Sequence, residues 1–378
     1  MRLLDLCDIK YGYAFDSKRF TDNPIYPPLV RIRDVKRGFS ETFYAGEYSK
    51  EYLLHKGDLL IGMDGEFNIA RWKSVDALLN QRVCKISAKK GTNEEYIRFA
   101  LSKKLKNIED KTSFVTVKHL SARELSTIEF TMPEYEKQRK IADILVSIEN
   151  IIEKKKQELE QLDTFVKSRF VELFGDPIKN PKGWEVVKLS ECLERIDNGK
   201  SFTCDSNARE GVFPAILKLS AATYGDYRPY ENKALLDEKQ FVESVEVHRG
   251  DLLFTRKNTP DLVGMAAYVF ETPEKLMMPD LIFRLVTNER MTPIFLWQLI
   301  NNREFRPAIQ GISGGSAKSM SNISKERLKN IEVICPPISE QKKLEGVLEQ
   351  VDKSKSKIQK SLEETQLLFD SLMQKYFG

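Results

Sequence analysis

Hydrophobic residues recur at seven-residue spacing in two long stretches of the chain. The first stretch has one phase at positions 141, 148 and 162 and a second at 145, 152, 159, 166 and 173; the second stretch has phases at 344, 351, 358 and 372 and at 348, 362, 369 and 376. Such stripes are typical of coiled-coil helices. We predict two long helices, at residues 133–175 and 336–378, each about 40 residues and roughly 60 Å long. Their predicted helix–helix core consists of Ile141, Leu145, Ile148, Ile152, Leu159, Leu162, Leu344, Leu348, Val351, Ile358, Leu362 and Phe369.

Lysines interrupt the stripes near the middle of each stretch, at Lys155 and Lys355. One interpretation is a tolerated polar residue whose aliphatic stem lies along the apolar surface while its ammonium group reaches solvent. The other is a polar device that fixes the register of the two helices. The first interpretation is favoured here.

Outside these stretches the hydrophobic pattern consists of short β-rich runs separated by Gly, Pro and Asn clusters. The runs are LVRIRDV, DLLIGM, RVCKIS, AILKLS, AAYVF and LIFRLV. A shorter helical pattern follows each set, EEYIRFALSKKL after the first and IFLWQLINNREF after the second. Each set therefore predicts a globular α+β domain built mostly of antiparallel strands.

The chain also contains an internal duplication. PEYEKQRKI, from Pro133, and PPISEQKKL, from Pro336, both place a glutamine five residues after the proline, at Gln138 and Gln341. The offset of 203 residues then holds without a gap to the end of both stretches. Upstream, IKYGYAF matches IDNGKSF, LVRI matches ILKL, and HKGDLL matches HRGDLL, with changing offsets that indicate loop insertions. The two halves are therefore copies of one fold whose loops have diverged.

The duplication predicts the domain organisation. A first globular domain occupies residues 1–132, the first long helix 133–175, a second globular domain 176–335 and the second long helix 336–378. Because the second domain is inserted between the two helices, we expect the helices to run antiparallel. The predicted fold class is α+β, with two mixed α/β globular domains at opposite ends of the paired helices, related by an approximate two-fold axis.

Composition and charge narrow the class of protein. The chain has 378 residues, of which 41% are hydrophobic, enough for two domains with cores of their own. Lys and Arg number 60 against 56 Asp and Glu, so the formal net charge is only +4 and any nucleic-acid contact requires basic residues concentrated on one face. Five cysteines without CxxC spacing predict neither a zinc site nor a disulfide framework, and favour a cytoplasmic protein. The lack of an apolar run of about 18 residues favours a soluble one.

Two copies of a variable domain, each with an I-x-x-G-x-x-F segment near its start and each followed by P-x-x-x-x-Q and a long helix, resemble the specificity subunit of type I restriction-modification enzymes. The segment NPKGWEVVKLSECLERIDNGKSF, at residues 180–202, is similar to the start of the second domain in that family. The resemblance implies a non-catalytic subunit in which each globular domain is a target recognition domain. Each domain would read one half of a bipartite, asymmetric site in double-stranded DNA, with the helices setting the spacer.

The same resemblance implies the partners and the location of the chemistry. The helices would dock two modification (methyltransferase) subunits, which carry the S-adenosylmethionine chemistry. Restriction subunits, which translocate and cleave DNA, would join the complex. ATP and Mg are thus expected on partner subunits, and this chain is expected to hold no cofactor and no metal and to have no membrane partner.

Basic and amide residues in the divergent loops are the candidates for DNA contact, because recognition residues are commonly carried by loops on a rigid scaffold. They are Arg31, Arg33, Lys36, Arg37 and Arg71 in the first domain, and Lys218, Arg256, Lys257, Asn258 and Lys318 in the second. Arg and Asn side chains can read guanine and adenine edges bidentately, whereas Lys more often contacts phosphate. For each residue taken singly, a solvated surface charge is the simpler interpretation.

Two other classes of function stay open at this point. An enzyme requires catalytic chemistry, but the sequence has no P-loop, no GxGxxG after a strand, no HExxH and only three histidines. His55 and His248 precede equivalent GDLL segments, in which Asp58 and Asp251 are better explained as turn residues than as catalytic carboxylates. The second alternative is a coiled-coil protein-interaction scaffold without DNA recognition, which the near-neutral charge permits.

Overall fold

The computed structural model describes residues 1–111, 119–314 and 320–378. These residues form two compact units: the first comprises residues 1–156 with 361–378, and the second comprises residues 157–360. Each unit is a mixed α/β domain that includes parts of both long helices, so the predicted fold class is confirmed. Over the described ranges, no helix combines the length and apolar character needed to cross a membrane.

The first unit is built of short strands followed by helices. Strands β1 to β9 span Cys7–Tyr11, Phe20–Thr21, Leu29–Val30, Phe43–Tyr44, Leu53–Leu54, Leu59–Gly62, Ile69–Arg71, Ala77–Leu79 and Val83–Ala88. Helices α1 to α5 span Leu3–Leu6, Ile32–Arg37, Glu94–Lys111, Ala122–Thr127 and Tyr135–Phe174. The last of these, α5, is the first long helix and continues into the second unit.

An antiparallel sheet in the order β1-β9-β6-β7 organises the first unit. Ile86 in β9 pairs with Ile9 on one side and Leu59 on the other, which produces an apolar row across three strands. A second sheet, β3-β8-β5, contains the parallel pair of β3 and β8. The main core combines this apolar face with residues of α3, with Leu145 of α5 and with Met373 near the chain end.

The second unit repeats this plan. Strands β10 to β20 span Val186–Lys188, Leu193–Asn198, Ala215–Leu217, Asn232–Ala234, Leu252–Thr255, Lys257–Asn258, Ala266–Tyr268, Leu276–Met277, Ile282–Thr287, Ser321–Asn322 and Glu332–Ile334. Helices α6 to α9 span Pro293–Asn301, Arg306–Gly311, Lys325–Lys329 and Ile338–Phe377. The sheet order β11-β18-β14-β16 matches that of the first unit, and β12 pairs in parallel with β17 as β3 does with β8.

Each unit contains the start of one long helix and the end of the other. In the first unit, Phe377 at the end of α9 packs on Tyr96 of α3 with ring centroids 5.1 Å apart. In the second unit, Phe174 at the end of α5 packs on Phe295 of α6 with centroids 4.8 Å apart. Because the start of one helix shares a unit with the end of the other in both cases, α5 and α9 are antiparallel.

None of the twelve residues predicted to form the helix–helix core is exposed. Ile141, Leu145, Ile148, Ile152, Leu344, Leu348 and Val351 are buried, and Leu159, Leu162, Ile358, Leu362 and Phe369 are half-buried. Leu145 and Leu344, near the helix starts, also belong to the cores of the globular parts. The heptad stripes therefore reflect packing on the domains as well as pairing of the helices.

Two of the predicted strand runs are strands for only part of their length. LVRIRDV forms β3 and then turns into α2, whose first turn is stabilised by the Asp34 carboxylate accepting the Arg31 backbone N–H at 2.9 Å. Gly38 ends this helix with φ of 78°, a left-handed conformation that favours glycine. AILKLS forms β12 and then a 3-10 turn at Leu219–Ala221. A run of apolar residues thus predicts too long a strand where a helical turn begins directly after a strand of two or three residues.

The glycine of the repeated I-x-x-G-x-x-F segment has a steric explanation. A Cβ atom on Gly12 would lie 2.0 Å from the Asn80 carbonyl oxygen, and one on Gly199 would lie 2.0 Å from the Pro279 carbonyl oxygen. Neither glycine has a positive φ. Both copies therefore need glycine because two backbone segments approach too closely for any side chain.

Candidate nucleic-acid interface

Helix α2 brings four of the predicted basic residues together on the surface of the first unit. Arg31, Arg33, Lys36 and Arg37 lie on or next to this helix and are exposed. Lys36 pairs with Glu66 at 3.0 Å, and Arg37 pairs with Glu41 at 2.9 Å. Exposed ion pairs of this kind contribute little to stability, so another anion can replace the glutamate partner at a small cost in free energy. The cluster is accessible to a nucleic acid.

A buried carboxylate lies beneath this basic cluster. Asp34 is 0% exposed and accepts hydrogen bonds from the Arg31 backbone N–H and from the Ser40 hydroxyl, the latter at 3.0 Å. Its other oxygen is 3.7 Å from Arg33 and 3.8 Å from Arg37. Asp34 therefore fixes the turn that presents the basic side chains and holds two of them near one another.

Arg71 takes part in an ion-pair network inside the first unit. Its guanidinium binds Glu95, contacts Glu94 at 2.9 Å and donates to the Gly57 carbonyl at 2.6 Å. Burial lowers the pKa of Arg71, but hydrogen bonds and charge interactions with the two glutamates outweigh it and raise that pKa above its ordinary value. Arg98 extends the network to α5 through two bonds with the Glu149 carboxylate, at 3.0 and 2.6 Å. Arg71 therefore has a structural role, and its contact with DNA stays a prediction.

In the second unit, two of the three predicted lysines fall within the described residues and are partly accessible. Lys218, which occupies the repeat position of Arg31, is half-buried, with its ammonium nitrogen 3.6 Å from Glu231. Lys257 is half-buried in β15, where it pairs with Asn322 of β19. Both positions remain predictions for phosphate contact, because a lysine ammonium needs only a short reach of its flexible stem to meet a phosphate.

Arg256 and Asn258 are held by the fold. The Arg256 guanidinium lies 3.4 Å from the Asn322 amide oxygen and 5.0 Å above the ring of Phe283, which is 2% exposed. Asn258 is 8% exposed; its amide donates to the Thr223 hydroxyl at 3.2 Å and accepts the Thr259 backbone N–H at 2.8 Å. Both side chains are thus held by contacts within the second unit, and their contact with DNA stays a prediction. Lys318, the last predicted residue, lies outside the described residues.

The two GDLL segments form equivalent turns. Asp58 accepts the His55 backbone N–H at 2.8 Å and pairs with Lys85 at 2.7 Å; Asp251 accepts the His248 backbone N–H at 2.9 Å and lies 3.1 Å from Arg284. Burial raises the pKa of Asp251, although the His248 backbone and Arg284 act in the opposite direction. Both carboxylates close a turn and bind the neighbouring strand. Within the described ranges, no group of three or more His, Cys, Asp or Glu side chains is arranged to hold a metal ion.

The repeated glutamines have a role that the sequence did not disclose. Gln341 is 0% exposed; its carbonyl accepts the Thr292 backbone N–H at 2.8 Å, and its amide donates to Arg290 O at 2.9 Å and Pro336 O at 2.7 Å. Gln138, 3% exposed, likewise accepts the Asn93 backbone N–H at 2.9 Å and donates to Pro133 O at 2.8 Å. Each amide thus joins the start of a long helix to the start of an earlier domain helix, Gln138 to α3 and Gln341 to α6. Only the repetition of the glutamine signalled this role.

Comparison with known families decides between the predicted classes. The family model described as the type I restriction modification DNA specificity domain matches residues 1–162 and again residues 181–365, which together make up most of the chain. The chain belongs to this family. The two matches fall on the two copies of the fold, and family membership disfavours the interaction-scaffold alternative.

Curated relatives of this specificity-domain protein are described as specificity subunits of type I restriction enzymes. The specificity subunit of the type I restriction enzyme EcoBI from Escherichia coli is 39% identical over 163 residues, which are 43% of this chain and 34% of that subunit. The MjaVIII specificity subunit from Methanocaldococcus jannaschii is 23% identical over 345 residues, 86% of this chain and 79% of that one. The alignments with the EcoBI and EcoEI subunits each span about a third of those relatives' length.

A solved structure has a similar fold over the whole chain. The crystal structure of the type I restriction-modification system S subunit from M. genitalium superposes with a TM-score of 0.65 and 14% sequence identity, covering 100% of this chain and 95% of that one. At this identity the likeness concerns the fold alone.

Proposed function

We propose that this chain is the DNA sequence-specificity subunit of a type I restriction-modification complex and that it reads a bipartite, asymmetric site in double-stranded DNA. One observation carries the proposal: the family match falls on both halves of the chain, and both halves have the same sheet order with different loops. Two copies of one scaffold with different loops are suited to bind two different half-sites.

Each unit contributes its own part of the recognition surface. The exposed basic residues around α2 serve the first half-site, and the loops that carry Lys218 and Lys257 serve the second. Arginine reads base edges and lysine positions the protein on the phosphates. Because these residues neutralise phosphates, binding weakens steeply as the salt concentration rises.

The two long helices fix the distance between the half-sites and dock two modification subunits. Each helix has 40 residues, which corresponds to roughly 60 Å at 1.5 Å per residue. On α5, Ile144 and Ile151 are each 44% exposed and lie one heptad apart. Apolar residues at this spacing on an exposed helix face are typical of contact with a partner helix. The modification subunits are the occupants that we propose for this face.

The chemistry of the complex belongs to the partner subunits. Modification subunits bind S-adenosylmethionine and transfer the methyl group, and restriction subunits use ATP and Mg²⁺ for translocation and cleavage. The support for this assignment is membership of a family described by DNA specificity together with relatives described as specificity subunits. The isolated chain, incubated with S-adenosylmethionine and DNA, should transfer no methyl group. Methyl transfer by the chain alone would contradict the assignment.

The DNA-recognition proposal is tested by selection from a randomised duplex library. The probe is the purified complex of this chain with its modification subunits, and the modification subunits alone serve as the control. We expect enrichment of two different short sequences at a fixed separation, and only when this chain is present. Enrichment of one continuous sequence, or of none, would overturn the proposal.

A further inference from the structure

Arginine guanidinium groups stack on aromatic rings at four places in the described part of the chain. Two of these rings, Phe99 and Phe283, are 2% exposed and serve packing. The other two are exposed. Arg37 lies 4.4 Å from the centre of the Phe39 ring in the first unit, and Arg228 lies 4.5 Å from the centre of the Tyr224 ring in the second.

The two exposed pairs occupy equivalent places in the repeated fold. Each lies in the segment that follows the strand paired in parallel, β3 in the first unit and β12 in the second. The alignment of LVRI with ILKL also aligns Gly38 with Gly225, and both adopt positive φ, 78° and 89°. In the first unit the arginine precedes the glycine and the ring follows it, whereas in the second unit the ring comes first. The two pairs thus lie at the same position in the repeated fold, but the arginine and the ring occur in opposite order along the chain.

The backbone around the second pair is held in place from several sides. The Gly225 carbonyl accepts the Trp297 indole N–H at 2.8 Å, and the Arg228 backbone N–H donates to Ala221 O at 2.9 Å. The Thr223 hydroxyl donates to Leu219 O at 2.7 Å. The loop at residues 223–230 is therefore a fixed platform although two of its three tyrosines are exposed, Tyr224 by 55% and Tyr230 by 68%; Tyr227 is half-buried.

The contacts of Arg228 orient its guanidinium, and 31% of its side-chain surface stays exposed. Its Nε donates to the Asp226 carboxylate at 2.9 Å while the group stacks on Tyr224. Two such contacts define the plane of the guanidinium, which lowers the entropy lost when it binds. In the first unit, the Phe39 ring and the buried Asp34, 3.8 Å from one terminal nitrogen, orient the Arg37 guanidinium. The exposed Glu41 carboxylate, 2.9 Å from the other terminal nitrogen, is the partner that a guanine base would displace. A planar, oriented guanidinium matches the O6 and N7 acceptors of guanine in the major groove.

We propose that Arg37 and Arg228 are specificity-determining residues, each reading a guanine in the half-site bound by its own unit. The inference rests on the proposed function. It adds one residue, Arg228, that lay outside the sequence prediction, and it distinguishes Arg37 from the neighbouring arginines by its ring contact. The exchange of arginine and ring around the conserved turn gives the two units different geometries, and hence different preferred positions for the guanine.

The test measures base preference at every position of both half-sites, using the full chain in complex with its modification subunits and a randomised duplex library. Arg228→Ala should lose the preference for guanine at one position of one half-site by roughly 5- to 150-fold, with the other half-site unchanged. Arg37→Ala should do the same in the other half-site. Each variant thus carries an internal control.

Two further variants sharpen the result. Arg195→Ala removes an exposed arginine of the second unit that pairs with Glu194 at 2.8 Å, and it should change no preference. Arg228→Lys keeps the charge but not the bidentate fork, so it should lose the guanine preference while retaining most of the overall affinity. It also replaces Arg228→Ala if that variant does not fold.

The possible outcomes separate the inference from the proposed function. If Arg228→Ala and Arg228→Lys leave both half-sites unchanged, or weaken all sequences equally, the arginine does not read a base and the inference is overturned. A uniform loss would mark a phosphate contact instead. If the wild-type complex itself selects no bipartite sequence, the proposed function fails and the inference fails with it.

Discussion

Gln138 and Gln341 illustrate how a single side chain joins a domain to a long helix. Replacing a buried glutamine by an apolar residue leaves the backbone groups that it bonded without hydrogen-bond partners, at a cost of about 1–3 kcal/mol for each group. Gln341→Leu removes three such bonds. We expect it to lower the free energy of unfolding of the second unit by at least about 3 kcal/mol, the lower end of this range for three groups. Urea denaturation followed through Trp184 and Trp297 measures this.

The matched control for this change is Gln350→Leu, which replaces an exposed glutamine of the same helix. It should alter the free energy of unfolding by less than about 0.5 kcal/mol. An equal loss for both variants would show that the buried amide bonds do not matter.

The close approach at Gly12 and Gly199 gives a second prediction for single residues. Gly199→Ala forces its Cβ into the Pro279 carbonyl and should destabilise the second unit by about 1–3 kcal/mol. Gly346→Ala, within α9 where a Cβ meets open space, should instead stabilise by about 1 kcal/mol. Thermal unfolding of the two variants measures the signs. A stabilising Gly199→Ala would refute the steric explanation.

Among the secondary-structure elements, the long helices contain polar residues that meet each other. Lys155 interrupts one apolar stripe of α5, and Thr365 interrupts the corresponding stripe of α9 one heptad after the position that repeats Lys155. The Lys155 ammonium donates to the Thr365 hydroxyl and to the Ser361 carbonyl, each at 2.9 Å. Lys355, further along, binds Asp163 in the second unit. Both lysines therefore bind polar groups of the facing helix, whereas the favoured interpretation had their ammonium groups reach solvent.

A double-mutant cycle tests this pairing. Thr365→Leu should destabilise the first unit by about 1–2 kcal/mol when Lys155 is present, because the ammonium loses a partner. In a Lys155→Met background the same change should cost much less, since the apolar stripe is then continuous. Unfolding followed through Trp72 fluorescence measures both. An identical cost in the two backgrounds would show that the residues are not coupled. Lys154→Met, at an exposed position, is the control.

The predictability of the fold depended on the length of each pattern. The long helices and the duplication were visible because heptads persist over many turns and because the repeat keeps one offset. Helix α2 was not predicted, because the apolar run LVRIRDV resembles a strand. The signals for the helix, its cap at Asp34 and its end at Gly38, extend over only a few residues. The domain contacts of Arg71 and Asn258 could not be predicted either, since their partners are distant in sequence. Whether a basic residue can read a base depends on such contacts. The sequence alone therefore gave a set of candidate residues and could not rank them.

At the scale of the whole molecule, the helices should act as a ruler for the spacer. Deleting one heptad from each, residues 154–160 and 357–363, shortens each helix by about 10 Å, equivalent to about three base pairs of B-DNA. We expect the complex to select the same two half-sites at a spacing reduced by about three base pairs. Circular dichroism provides the control for folding. A folded variant that retains the original spacing would contradict the prediction that the helices set the distance between the half-sites.

We expect the two units to read two different half-sites. Mapping of methylated adenines across the genome of a host that expresses this chain with its modification subunits tests it most directly, with a host lacking only this chain as the control. We expect methylation at one asymmetric motif made of two different short sequences separated by a fixed number of unspecified bases. Methylation at a symmetric or continuous motif, or the same methylation without this chain, would contradict it.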